Sequence, residues 1–164
     1  MPATLTQVVS GGQTGVDRAG LDAAILHDIP HGGWCPAGRR SEDGRIPNKY
    51  QLRESDSRNY AVRTRQNVAD SDGTLILFED TMSRGTELTA KFAGQQKKPL
   101  HCVDIIELLD WSEERFDEEI QNVHSWIQNE NIGVLNIAGS RESTSPGIGA
   151  IALTFLSRLF DTQN

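Results

Sequence analysis

Apolar positions along the chain alternate between short continuous runs and helical stripes. Leu5–Val9 (LTQVV) is β-rich and leads at once into the polar, glycine-rich Ser10–Asp17 (SGGQTGVD). Ala19–His27 follows with Leu21, Ala24 and Ile25 on one face, so the opening reads as strand, glycine loop, helix. Pro30, Gly32, Gly33 and Pro36 surround Trp34 and Cys35 and limit any second strand to a few residues. From there to about Ser57 the chain is polar and turn-rich, too long for an ordinary βα connection.

Regular alternation then resumes. Tyr60–Asp70 predicts a helix, and Gly73–Phe78 (GTLILF) is a continuous apolar run of the kind expected for a buried parallel strand. Ser83–Thr86 (SRGT) forms a second glycine turn, Glu87–Gln96 a helix, Lys97-Lys98-Pro99 a stop and Leu100–Val103 a strand. Ser112 suits an N-cap, with Glu113 and Glu114 in the first turn and Phe116, Ile120, Val123 and Ile127 forming the apolar stripe behind it. Gly133–Ala138 (GVLNIA) is another buried strand, followed by the polar turn Gly139–Gly147. Ser145 and Pro146 suit the cap and first turn of a last helix whose Ile148, Ile151, Ala152, Phe155, Leu156 and Leu159 cover much of its circumference. Such a helix is deeply buried or an oligomer contact. Strands alternating with helices imply an α/β, Rossmann-like three-layer fold: a mostly parallel sheet with helices on both faces.

At 164 residues the chain fits one domain, 1–164, able to bury a core without disulfides. The two cysteines, Cys35 and Cys102, make neither a disulfide framework nor a zinc spacing. With no apolar run long enough for a bilayer and no signal-peptide pattern at the start, a cytoplasmic protein without membrane association is expected. The net charge of −7 argues against nucleic acid as a partner. Charge is uneven, however: Arg39–Arg65 holds eight basic residues against four acidic ones, whereas Asp104–Glu119 holds eight acids and only Arg115. A locally basic neighbourhood in an acidic protein suggests a small anionic ligand.

Ligands in such folds bind at the carboxyl edge of the sheet, and three loops leaving that edge are rich in glycine and hydroxyls. In the first, Ser10, Gly11, Gly12, Gln13, Thr14 and Gly15 offer close backbone approach, amides at a helix start and two hydroxyls. It is neither a dinucleotide fingerprint nor a P-loop. In the second, Arg84, Gly85 and Thr86 open a helix; in the third, Gly139, Ser140 and Arg141 follow the last strand, where an arginine can fork onto an oxyanion. Arg63 or Arg65 is placed to reach the same edge. No nucleophile has an adjacent histidine; His27, His31, His101 and His124 are dispersed, no metal-ligand set is expected, and Cys35 is expected to be a buried free thiol.

SGGQTGVDRA at Ser10–Ala19 resembles the molybdenum cofactor carrier family, as do Gly33-Trp34-Cys35-Pro36, Arg63–Asn67, Ser71-Asp72-Gly73-Thr74, Arg84-Gly85-Thr86 and Asn136–Gly149. The resemblance spans nearly the whole chain. It implies a Rossmann-like homo-oligomer, dimer or tetramer, that binds and protects the molybdenum cofactor (Mo-molybdopterin) or molybdate and hands it to a molybdoenzyme acceptor. The same superfamily includes the cytokinin-activating phosphoribohydrolases and the DNA-processing protein A group. In the phosphoribohydrolases an arginine stands eight residues before a Ser-Asp pair, as Arg63 does before Ser71-Asp72, and a P-G-G-x-G-T-x-x-E motif supplies the catalytic glutamate. Here Thr81, Met82 and Ser83 replace Pro-Gly-Gly, and Thr89 stands in the glutamate's place. The expectation is therefore a carrier and not an enzyme. The alternatives are a nucleoside monophosphate phosphoribohydrolase-like enzyme using Glu87 or Asp72, a nucleotide-binding protein, or a single-stranded nucleic-acid module, the last disfavoured by the acidic pI.

Overall fold

The computed structural model describes residues 4–161. Its centre is a five-stranded, wholly parallel sheet built from β1 (Gln7–Val9), β2 (His31–Gly32), β7 (Gly73–Phe78), β8 (Leu100–Asp104) and β9 (Val134–Gly139), in the order β2-β1-β9-β7-β8. The last strand in sequence thus lies in the middle, between β1 and β7. The four remaining strands, β3 (Trp34–Cys35), β4 (Arg40–Ser41), β5 (Gly44–Arg45) and β6 (Arg53–Glu54), are two-residue pieces of the segment between β2 and the second helix.

Helices cover both faces, which makes this a Rossmann-like three-layer fold. On one face α1 (Val16–Leu26), α4 (Glu113–Asn129) and α5 (Ile148–Asp161) pack against Leu75, Leu77, Leu135 and Ile137 of the central strands. The alternation of the strands carries Thr74 and Asn136 to the opposite face, where the Asn136 amide donates to Thr74 Oγ1 at 3.2 Å. That face lies under α2 (Tyr60–Asp70) and α3 (Arg84–Gln95), whose core of Val68, Phe92 and Ala93 is small. One sheet face is therefore a dry core and the other carries buried polar groups.

Caps set several boundaries. Asn59 accepts from the Ala61 amide to open α2, Ser83 from Thr86 to open α3, and Ser112 from Arg115 to open α4. Two helices start earlier than their apolar stripes predict: α1 at Val16, because Gly15 at φ 82° turns the chain directly into it, and α3 at Arg84, because Ser83 is its cap. The N-terminus of α5 is held by a side chain from outside the helix: Glu142 accepts from Gly147 and Gly149 at 2.9 and 2.6 Å. Much of its apolar circumference is buried within the chain, with Ile148, Ala152, Phe155, Leu156, Leu159 and Phe160 in the core beside α1 and α4, while Ile151 is half-buried. Among the described residues no helix is long and apolar enough to cross a membrane.

The long segment after β2 is an ordered insertion. β3 and β6 pair in parallel, β4 and β5 form a hairpin, and Cys35, Ile46 and Tyr50 make a second small core with Leu21 of α1. Arg39 is its hub: at φ 54° and buried, it donates to the carbonyls of Ile46, Pro47 and Tyr50 at 3.0, 2.7 and 2.9 Å. Arg18 and Asp22 of α1 tie the insertion down, through Asp43 at 2.6 Å and the Tyr50 hydroxyl at 2.7 Å.

Candidate anion-binding site

The parallel order brings the carboxyl ends of β1, β9 and β7 side by side, and with them the first and third glycine loops. These two loops touch: the Val16 amide donates to Ser140 O at 3.1 Å, and a Cβ on Gly15 would lie 2.3 Å from that oxygen. Gly12, at φ 77°, meets the insertion instead, with Leu52 and Ile46 side chains 2.7 and 3.0 Å from where its Cβ would be.

Gly11 has a different reason to be glycine. Arg63 enters from α2, and a Cβ on Gly11 would sit 1.3 Å from its Nη1. The guanidinium pairs with Asp17 in the first turn of α1 at 2.9 Å, with both side chains 9% exposed. A charge that deeply covered needs such a partner. The space over Gly11 is thus filled by an arginine, and several loop amides are satisfied inside the chain, Gly12 by Ser10 Oγ and Thr14 by Gln13 Oε1. Ser10 Oγ itself donates to Asp17 O at 2.8 Å.

Donors nevertheless remain. Gln13 Nε2, Arg63 Nε and Ser140 Oγ are buried without a hydrogen-bond partner in the protein. Leaving such groups unmade costs more than a typical hydrogen bond contributes, so their convergence on the glycine loops is informative. Around them three guanidinium groups gather on the Tyr60 ring at the start of α2: Arg40 at 4.7 Å, Arg141 at 5.4 Å and Arg63 at 5.6 Å from its centroid. The residues come from the hairpin, the third loop and α2.

A carboxylate already lies at this rim. Glu42, in the turn of the β4–β5 hairpin, accepts from the Thr14 hydroxyl, from the Ser143 amide at 3.2 Å and from the Ser143 hydroxyl at 2.6 Å. Arg141 Nη1 lies 3.7 Å away. Burial raises the Glu42 carboxyl, but the Ser143 and Thr14 hydrogen bonds and Arg141 outweigh it and hold the group below the ordinary carboxylate range.

The second glycine turn stands apart. Below the arginines a cavity of about 30 Å³ is lined by Gly11, Asp17, Arg63, Asn67, Thr89, Asn136 and Gly139, among others, but not by Gly85 or Thr86. Thr86 is buried against its cap Ser83, and the surroundings of Gly85 are open. Thr89 donates to Gly85 O at 3.2 Å, and Glu87 is exposed. Asp72 is at the other end of the sheet, before β7, where it accepts from the Gly133 and Val134 amides at 3.0 and 2.8 Å. A six-residue strand separates it by roughly 15–20 Å from the glycine loops.

Cys35 is fully buried, and burial pushes its thiol up, so it is a packing residue of the insertion. Among the described residues no group of three or more His, Cys, Asp or Glu is spaced to hold a metal ion. Arg40, Glu42, Asp17 and Tyr60 are site residues that the sequence did not single out. Only the density of arginines in Arg39–Arg65 signalled this face.

The family model described as cpYpsA, the Circularly permutated YpsA SLOG family, matches residues 8–160. The chain belongs to this family. Within the cpYpsA family's Rossmann-like frame, one solved relative is close: the crystal structure of a protein named "Putative molybdenum carrier protein", from Syntrophus aciditrophicus SB. It is 44% identical, with a TM-score of 0.87 over 97% of this chain and 96% of that one. No curated protein matches the chain. Family and neighbour agree with the resemblance carried by the SGGQTGVDRA loop and the motifs after it.

Proposed function

We propose that this protein binds, stores or carries the molybdenum cofactor, or molybdate, at the carboxyl edge of its sheet and leaves it chemically unchanged. One observation carries the reading: Arg40, Arg63 and Arg141 gather on Tyr60 beside two glycine loops whose Gln13, Arg63 and Ser140 donors lack acceptors. The oxo groups of molybdate and the terminal phosphate of the cofactor are acceptor-only oxygens, complementary to amide, hydroxyl and guanidinium donors. The name of the 44% identical relative supports molybdenum as the element concerned. Recognition in this reading goes through oxyanion donors and not through a cluster of metal-ligating side chains.

Ser10, Gly11, Gly12, Gln13, Thr14, Gly15, Gly139, Ser140 and Arg141 form the cradle, with Arg63 beneath it. Gly85 and Thr86, at the start of α3, stand apart from it. A homo-oligomer, a molybdoenzyme acceptor and a cytoplasmic location belong to the same proposal. A nucleoside monophosphate would present a similar phosphate, but Asp72 is engaged at the far edge and Glu87 faces solvent, so neither carboxylate supports glycosidic hydrolysis at the cradle. Retention of free molybdenum cofactor by the purified protein, lost on Thr14→Ala with Arg141→Ala, tests the proposal; release of base from a nucleoside monophosphate instead contradicts it.

A further inference from the structure

The turn that carries Glu42 is exposed, yet its side chain is only 20% exposed, because the carboxylate is folded back onto the glycine loops. The hairpin does not need that contact to close. The antiparallel pairing of Ser41 with Gly44 closes the turn, and Arg18 anchors the adjacent Asp43 separately. What Glu42 meets is a set of donors drawn from two βα loops: a threonine hydroxyl, a serine hydroxyl, the amide of that same serine, and an arginine at the edge. This is the equipment of an oxyanion site.

A second observation points the same way. Gln13 Oε1 accepts from the Thr14 amide at 3.1 Å and from the Glu42 amide at 2.9 Å, which fixes the orientation of the side-chain amide. Its Nε2, in a residue only 5% exposed, is then left without an acceptor beside Glu42. The Ser140 hydroxyl, next to Arg141 in a residue 1% exposed, is unpartnered too. A carboxylate has two oxygens to offer; a tetrahedral oxyanion has up to four.

Resting on the anion-carrier reading above, we infer that Glu42 is an internal stand-in for an anionic group of the cargo. A tetrahedral oxyanion, free molybdate or a phosphate, takes its place among Thr14, Arg141 and Ser143 as the hairpin moves aside. The cradle is thereby self-occupied when empty of cargo, and the apparent affinity for an oxyanion is reduced by the fraction of protein in which Glu42 holds the site.

The test is calorimetric titration of the full chain with sodium molybdate and, separately, with inorganic phosphate, for the wild type, Glu42→Gln and Glu42→Ala. Amide hydrogen exchange across residues 40–45 is followed in parallel. Asp56→Asn removes an exposed charge from the same insertion and controls for a general loss of negative charge. The expected result is that Glu42→Ala binds at least one of the two anions roughly tenfold more tightly than the wild type. Glu42→Gln, which keeps the side-chain shape should alanine disturb the hairpin, falls between, and Asp56→Asn matches the wild type. Exchange across the turn rises when the wild type is saturated and is already fast in Glu42→Ala. Whichever anion gains distinguishes a molybdate pocket from a phosphate pocket.

Unchanged or weaker binding by both Glu42 variants overturns the inference and makes Glu42 a staple of the hairpin. A hairpin whose exchange is the same with and without saturating anion overturns it as well, as does failure of every variant to bind either anion. In that last case, wild-type protein that still retains molybdenum cofactor leaves the carrier reading standing; protein that retains none removes both.

Discussion

The Arg63 guanidinium lies 2.9 Å from the Asp17 carboxylate, 46 residues apart in sequence, with only 9% of either side chain exposed. The pair joins α2 on one sheet face to the first turn of α1, and it fills the space that Gly11 leaves. Removing one partner strands the other charge in the interior. Arg63→Ala is expected to lower unfolding free energy by about 3–5 kcal/mol, and Arg63→Met with Asp17→Leu to cost less than Arg63→Ala alone. Urea denaturation of the variants checks this; a single-variant loss below about 1 kcal/mol would mean that the charge is well hydrated.

Two glycines from the predicted anion loops should behave in opposite ways. Gly15 is at φ 82°, and a Cβ there would come 2.3 Å from Ser140 O, so Gly15→Ala is expected to destabilise by more than about 2 kcal/mol. Gly85 is helical with open surroundings, so Gly85→Ala is expected to be neutral or to stabilise by up to about 1 kcal/mol. Thermal melts of the two proteins decide.

The contrast shows which parts of this molecule were legible in its sequence. The continuous apolar run Gly73–Phe78 and the helix Tyr60–Asp70 have the boundaries their patterns predict, because both patterns are local signals. The Ser112-capped helix and the polar glycine turns were legible for the same reason, and the turns after β1 and β9 do meet at the carboxyl edge. Two-residue strands carry no periodicity, so β2 to β6 could not be read individually. Nor could the contact between Glu42 and Ser143, 101 positions apart, or the gathering of Arg40 and Arg141 on Tyr60, since both follow from strand order. The apolar surround of α5 admitted burial or an oligomer contact; most of it packs with α1 and α4, and Ile151 stays half-buried.

Arg39 is the residue on which the insertion depends. Its three hydrogen bonds go to backbone carbonyls of the insertion, of which Pro47 O and Tyr50 O also accept from the Tyr50 and Leu52 amides at 3.2 and 2.9 Å. Arg39→Ala should cost more than about 2 kcal/mol, and Arg39→Lys only part of that. Limited proteolysis should then cut between Arg40 and Ser57 before the rest of the domain, whereas a wild-type pattern in Arg39→Ala would show that the insertion is held by Cys35, Ile46 and Tyr50 alone.

The tether between Arg18 and Asp43 should persist into strong acid. Hydrogen bonds from Arg18 and Ser41 lower the Asp43 carboxyl from 3.8 to about 2. A carboxyl whose pKa is lower in the folded state contributes stability that is complete above its unfolded value near 3.8 and is lost as pH falls through about 2. Because the Asp43 side chain is half exposed, the contribution is no more than about 1 kcal/mol. Asp43→Asn should therefore narrow the gap to wild type between pH 4 and pH 2, measured by denaturant midpoints; a gap that is constant with pH would place the carboxyl at its ordinary value.

The most direct measurement is anaerobic incubation of the protein with free molybdenum cofactor, gel filtration, and assay of the protein peak for molybdenum and oxidised pterin together. The carrier account predicts both in a fixed ratio to protein, and their loss in a Thr14→Ala, Arg141→Ala variant that elutes and melts as the wild type does. A wild-type peak without pterin or metal, or equal retention by the variant, would contradict it.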